Sequence, residues 1–314
     1  MTRHLSTRQK GIALAAVTAI VSGFAVFING YGVRAWLEVA DATTYTTLKN
    51  LVSALVIGVF ATLLTLRRSR EAPRLPSSAG SRWTLALLAI VGGSVPFVLF
   101  FEGLSRAASA QAAFIHKTLI IWVAFMAIVF LKERLSWPHV VAIGVLVWGQ
   151  IVLLGGVAGA TFGVGEAMIL GATLLWSVEV VVAKKLLADV PSATVASARM
   201  IGGSVVLVTW ALVRSANVDW AAVTGTQLVW VLATGFVLSA YVLTWFAALE
   251  RAPAVDVTAV LVAGAVITAL LQTSIRGVAL PDVWGLVLLI VGSGLAAAAS
   301  WRAGRGEVDS GIRA

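Results

Sequence analysis

The 314-residue chain contains no cysteine. That excludes disulfides, thiolate metal sites and a cysteine nucleophile, and it leaves the redox compartment open. Charge is scarce as well. Asp, Glu, Lys and Arg make up 12% of the residues, where a soluble domain carries about a quarter. The three histidines, His4, His116 and His139, lie in separate segments with no partner at metal-ligand spacing, so no metal site is expected. No Walker lysine loop, HExxH or GxSxG occurs. The sequence therefore reads as neither an enzyme nor, by itself, a nucleotide-driven pump, and no cofactor is expected. What fills the chain instead is apolar: 60% of it falls in the set AVILMFWYC. A soluble fold of this size would expose large apolar patches. An ordinary cytosolic enzyme, a disordered chain and a nucleic-acid-binding domain are excluded. The formal charge of +9 does not point to a polyanion partner, because the basic residues sit in short breaks between apolar runs.

A bilayer core of roughly 30 Å needs about 20 apolar residues per helix. By that ruler the chain has ten candidate spans, near 11–29, 43–66, 83–103, 107–130, 138–156, 165–187, 193–214, 226–248, 252–275 and 282–300. The longest polar break is RRSREAPRLPSSAGSR at 67–82, which holds Pro73 and Pro76. The basic leader MTRHLSTRQK resembles a signal-peptide start, but nine further spans and no polar mature domain follow. With the N-terminus in the cytoplasm, the inner segments hold 16 Lys and Arg and the outer segments 4. The positive-inside rule then puts both termini in the cytoplasm.

The two halves resemble each other. GLSRAASAQAA at 103–113 matches ALERAPAVDVT at 248–258, with Arg106 against Arg251. Pro138, Ala142 and Gly149 match Pro281, Gly285 and Gly292 at a constant offset of 143. TTYTTLKN at 43–50 sits against ATVASARM at 193–200, pairing Lys49 with Arg199, and VSGF at 21–24 against WSVE at 176–179. Five spans per half is an odd number, so the second half enters the membrane from the opposite side. The expected fold is an all-α integral membrane protein of two inverted five-helix repeats, the architecture of many secondary transporters. The organisation reads as a leader at 1–10, repeats at 11–156 and 157–301, and a cytoplasmic tail at 302–314.

This layout, the fourth-span run RAASAQAAFIHKTLIIWVAFMAIVFLKERLS and the glycines of the fifth and tenth spans resemble the drug/metabolite transporter superfamily, specifically its ten-helix EamA-type branch. The resemblance covers roughly residues 10–300. Glu133 matches the family's acidic residue after the fourth span; the second half reads SIRGVALPD there and lacks it. The resemblance implies export of amino acids, metabolites or drugs. It also implies a cavity lined by the first, third, fourth, sixth, eighth and ninth helices, with the fifth and tenth as supports. In the distantly related small multidrug exporters the proton-carrying Glu aligns with Trp176, not with Glu179.

Ionisable groups inside spans are costly and so become candidates. His116 and Lys117 sit near the middle of the fourth span, too deep to reach water easily. Lys117 is expected to meet a substrate anion or, alternatively, to pair with Glu179 or stay neutral. Glu179, in the sixth span, is a proton-carrier candidate or half of a fixed salt bridge. Lys49 and Arg199 lie about six residues inside their spans, roughly 9 Å along a helix, a depth from which long cations snorkel. They read as anchors or bridges to a neighbouring helix end, or as gates, with Asp256 as a partner for Arg199. Trp176, Tyr241 and Trp245 are candidates to line an aromatic cavity. Trp83, Trp137, Trp284 and Trp301, near span ends, read as interface belts. Small residues at Ala107, Ala108, Ser109, Ala110, Ala112 and Ala113 and at Gly285, Gly292 and Gly294 should allow close helix approach. Pro96, after Gly92 and Gly93, should bend the third span.

The sequence thus reads as a secondary transporter exporting a small, amino-acid-like, carboxylate-bearing metabolite, with proton coupling left open. It would sit in a bacterial or archaeal cytoplasmic membrane as a monomer or homodimer. Its partners would be a small-molecule substrate and the lipid bilayer. The rival readings are an exporter of lipophilic cations and an uncoupled facilitative pore.

Overall fold

The computed structural model describes residues 5–104, 106–107, 115–153 and 162–311. The first span is α1 (Thr7–Leu37), and the second is α2 (Ala42–Leu66). The third is split into α3 (Ala79–Val91) and α4 (Val95–Leu104). The fourth holds α5 (Leu119–Met126), followed by a π-helical turn at Ala127–Leu131, and the fifth is α6 (Trp137–Leu153). The sixth is α7 (Val164–Leu186). The seventh runs through α8 (Ser192–Ser197), a second π-helical turn at Ala198–Gly202, and α9 (Gly203–Val213). The eighth is α10 (Gly225–Arg251), the ninth α11 (Ala254–Leu261) with α12 (Gly264–Arg276), and the tenth α13 (Val283–Gly311). Eight of these spans are long and apolar enough to cross a membrane, and Ile115–Leu131 and Trp137–Leu153 are shorter apolar helices. The small residues Ala108, Ser109, Ala110, Ala112 and Ala113, and His4, lie outside the described residues.

Helix starts follow local chemistry. Ser6 caps α1, accepting from Gln9 N–H at 3.1 Å while Gln9 Oε1 takes Ser6 N–H at 3.0 Å. Asp41 caps α2 through Thr44 N–H at 2.7 Å. The helix α1 runs to Leu37, past the expected end at 29, because its last turns are packed. Trp36 is fully buried. Its indole donates to Gln227 O at 2.9 Å, and Gln227 Nε2 donates to Ala35 O at 3.2 Å. The tenth helix likewise continues beyond 300. The bend expected at Pro96 is a full break at Gly92–Ser94. A second break, at 262–263, and both π-helical turns had no signal in the hydropathy.

Burial is inverted relative to a soluble protein. Leu55, Val59, Leu63, Phe125, Val205 and Leu212 stand exposed on the outside, while Lys49, Glu179, Arg199 and Asp256 are buried inside. That is the distribution a bilayer selects. The packing also obeys a symmetry. The first span lies along the eighth and against the ninth; the sixth lies along the third and against the fourth. The second touches the eighth, and the seventh touches the third. Fifth packs on tenth, and second on seventh. Exchanging the two halves leaves these pairings unchanged.

The fifth–tenth contact rests on missing side chains. A Cβ at Gly149 would lie 2.8 Å from Leu288 Cβ, and one at Gly285 would lie 2.8 Å from Leu153 N. Gly292 faces Leu146 and Ala142 in the same way. Gly294 does not share this role, since a Cβ there meets nothing within 4 Å. Gly149→Val is expected to lower stability by about 1–3 kcal/mol through overpacking, and Gly294→Ala to change little. Thermal unfolding of the purified variants checks this; equal melting points for Gly149→Val and wild type would refute the contact.

Candidate functional site

The break at Gly92–Ser94 frees backbone groups and opens space inside the bundle. Trp176 Nε1 donates to the Gly92 carbonyl at 3.3 Å. The Glu179 carboxylate fills the room left by the missing Gly92 side chain; a Cβ there would lie 2.6 Å from both carboxylate oxygens. Facing it is Arg199, on the π-helical turn Ala198–Gly202. The extra residue of such a turn re-aims the side chain that follows. Arg199 Nε bonds Glu179 Oε1, and Nη2 lies 3.4 Å from Oε2. Both side chains are 6% exposed or less. The expectation that Arg199 snorkels is therefore wrong: a buried carboxylate draws it inward. Lys117 is not the partner of Glu179.

Lys49 also points inward, 4% exposed, and does not snorkel. Its Nζ donates to Asn29 Oδ1 at 2.9 Å. The Tyr45 hydroxyl, one turn earlier on α2, lies 3.1 Å from the same oxygen and 2.9 Å from Thr234 Oγ1. Three rings surround the ammonium, with Nζ 4.6 Å from the Phe101 centroid, 5.4 Å from Tyr45 and 5.8 Å from Phe97. Among the described residues no carboxylate pairs with it.

Phe97 joins the two cations, because the Arg199 guanidinium sits 5.5 Å from its centroid. Phe97 also meets Trp176 edge-on at 5.5 Å. Trp176 contacts His116 at 5.0 Å, and His116 contacts Phe100 at 5.1 Å. His116 Nδ1 is buried without a hydrogen-bond partner among the described residues. Lys117 follows it, part-buried, and makes no hydrogen bond or ion pair among the described residues. The structure thus brings Lys49, His116, Trp176, Glu179 and Arg199 around one aromatic cluster, with Lys117 next to His116 in the chain. It adds Asn29, Tyr45, Phe97, Phe100 and Phe101, which the sequence reading missed. The i, i+4 pairs Tyr45–Lys49 and Phe97–Phe101 were the available signals.

Two candidates lie apart from the rings. Tyr241 and Trp245 stack on each other at 6.1 Å and 9°. Trp245 is buried in the main core, and Tyr241 stands within electrostatic reach of Arg199 and Glu179. Asp256 does not pair with Arg199. It receives Arg8 Nη2 at 2.8 Å, and His139 Nε2 lies 2.8 Å away. Arg8 Nε also donates to Ser300 Oγ at 2.8 Å. Nearby, Glu133 accepts from Ala254 N–H at 2.8 Å and Val255 N–H at 3.3 Å, capping α11. Lys184 donates to Leu249 O at 2.6 Å and Ala252 O at 2.8 Å. This network ties one end of the bundle.

A second network ties the end where α1 meets α2. Arg214 bonds Asp41, its Nη1 lies 3.3 Å from Glu102 Oε1, and Glu102 pairs with Arg106 at 2.8 Å. Partial burial raises the Asp41 pKa, but hydrogen bonds from Thr44 and Arg214 outweigh it and hold the carboxyl below its ordinary value. The buried cluster lies between these two networks.

The family model described as the EamA-like transporter family matches residues 9–155 and again residues 163–298. The chain belongs to the EamA-like transporter family. It is therefore a multi-pass membrane transporter of the drug/metabolite transporter superfamily, built from two repeats of one EamA unit. No curated protein matches its sequence. A solved structure titled only "Crystal structure of protein" shares the fold, with a TM-score of 0.71 and 18% identity over 91% of this chain and 97% of that one.

Proposed function

We propose that this EamA-type protein is a secondary transporter that exports a small carboxylate-bearing metabolite by alternating access. The observation that carries the reading is a charge imbalance inside the bundle. Lys49 and Arg199 face the aromatic cluster, Lys117 adjoins His116 in the chain, and Glu179, the acid beside them, is already bound to Arg199. An unpaired ammonium in low dielectric is costly unless water or an anion reaches it. A carboxylate with an apolar or aromatic body satisfies both the cations and the rings. The same imbalance disfavours a lipophilic cation. Lys117 and His116 would hold the anionic end, with Trp176, Phe97 and Phe100 along the apolar body.

Rocking of one repeat against the other supplies the alternation, consistent with packing that survives exchange of the halves. Glu179 is the proton-coupling group of this proposal. Protonation would release Arg199, and the charge-paired ends of the bundle would act as gates, Arg8 with Asp256 at one and Arg214 with Asp41 at the other. The lopsided Lys and Arg distribution supports inverted repeats with both termini in the cytoplasm of a bacterial or archaeal membrane.

A thermal-shift screen of the purified protein tests the substrate class. A bound carboxylate at 100 times its Kd stabilises by about 2.7 kcal/mol, several degrees in melting point. Stabilisation by lipophilic cations and not by amino acids or other carboxylates would overturn the proposal. For orientation, a fluorescent-protein fusion at Ala314 should light up in cells and an alkaline phosphatase fusion there should stay silent; the reverse pattern refutes the topology.

A further inference from the structure

A cavity also lies apart from the charged cluster. It is a lateral groove of about 750 Å³ between α2 and α9, lined among others by Leu51, Gly58, Thr62, Leu63, Ile201 and Val208. The groove is predominantly apolar, and of its hydroxyls only that of Ser204, buried, is without a hydrogen-bond partner among the described residues. The Thr62 hydroxyl donates to Gly58 O at 2.9 Å and that of Thr209 to Val205 O at 2.9 Å. At Gly58 a Cβ would meet nothing within 4 Å, so the floor is open. From Leu51 to Leu63 the α2 wall runs roughly 18 Å, about the depth of one leaflet of a 30 Å core.

The groove is asymmetric in charge. Its α2 wall ends at Leu66, and Arg67, Arg68 and Arg70 follow directly, all exposed. Arg67 lies one turn beyond Leu63, and its N–H bonds Leu63 O at 3.0 Å. Among the described residues none of these three arginines makes an ion pair. The nearby acid Glu71 is engaged by Arg251 at 2.9 Å. Basic clusters directly beside a span attract anionic headgroups.

We propose that this groove is a binding site for an anionic phospholipid, with one acyl chain along α2 and α9 and the headgroup on Arg67, Arg68 and Arg70. The site stands independently of the substrate reading. Native mass spectrometry of the detergent-purified protein, with phosphatidylglycerol or phosphatidylcholine added, tests it. Wild type should hold phosphatidylglycerol at least about tenfold more tightly, and the preference should fall about fivefold per arginine replaced by glutamine. Gly58→Phe, which fills the groove without a clash, should lose the bound phosphatidylglycerol while keeping its melting point. Equal retention of the two lipids by wild type would overturn the proposal. So would a Gly58→Phe protein that keeps phosphatidylglycerol. A wild-type dimer that Gly58→Phe turns into a monomer would also overturn it, by assigning the groove to a second copy of the chain.

Discussion

Replacing Arg199 with methionine is expected to destabilise the protein by about 3–5 kcal/mol. The Glu179–Arg199 pair is desolvated on all sides, with Glu179 4% and Arg199 5% exposed. Removing the cation leaves a buried carboxylate against Gly92, with no cation paired to it among the described residues. Glu179→Gln should cost less, because an amide oxygen still accepts from the guanidinium. The double variant Arg199→Met with Glu179→Gln should recover most of the loss, since it deletes both charges together. Thermal unfolding in detergent reads all three. If Arg199→Met melts within about a degree of wild type, water already reaches the pair and the buried ion-pair account fails. The transport readout is separate. Glu179→Gln should abolish proton-driven uptake into everted vesicles while leaving substrate binding intact, and unchanged gradient-driven flux would remove Glu179 from the coupling step.

The spans were legible because hydropathy is a local property, and Gly285 and Gly292 marked close approach on the tenth span, although its partner there, the fifth, was not assigned. The repeat was legible as well, through the match of Arg106 with Arg251 and of Pro138 with Pro281. Side-chain partners were not. Whether Arg199 snorkels or turns inward depends on a π-helical turn that no hydropathy window registers, and on where Glu179 stands in space. Asp256 looked like a partner for Arg199 by depth alone. It found Arg8 and His139 instead, because α1 and α6 meet α11 at the same end. Asn29 escaped notice as one amide in an apolar span, although its oxygen joins Lys49 to Tyr45. The rings of PFVLFF were not singled out in the sequence, and only the folded arrangement shows that Phe97 and Phe101 face the cations.

Lys117→Met is expected to leave the protein folded and to weaken binding of a carboxylate substrate by about 2–5 kcal/mol, at least thirtyfold in Kd. Methionine keeps the length and apolar stem of lysine and deletes the charge. The sign of the stability change separates the two roles a buried lysine can have. A lysine in a structural pair would strand its partner when removed, and the melting point would fall. Glu179 is committed to Arg199 and Asp256 to Arg8 and His139, so Lys117 has no such partner among the described residues. Deleting its charge therefore removes a desolvation cost, and the ligand-free melting point should hold or rise. Lys117→Arg keeps the charge and should retain part of the affinity, reduced by the larger guanidinium beside His116. The measurement is the melting-point increase produced by a carboxylate ligand in each protein. Wild type should show it, Lys117→Arg should show less, and Lys117→Met should show none. A well-folded Lys117→Met protein with the full ligand-induced shift would place the anion elsewhere. Lys49, the other buried ammonium without a carboxylate, would then be the cation to test.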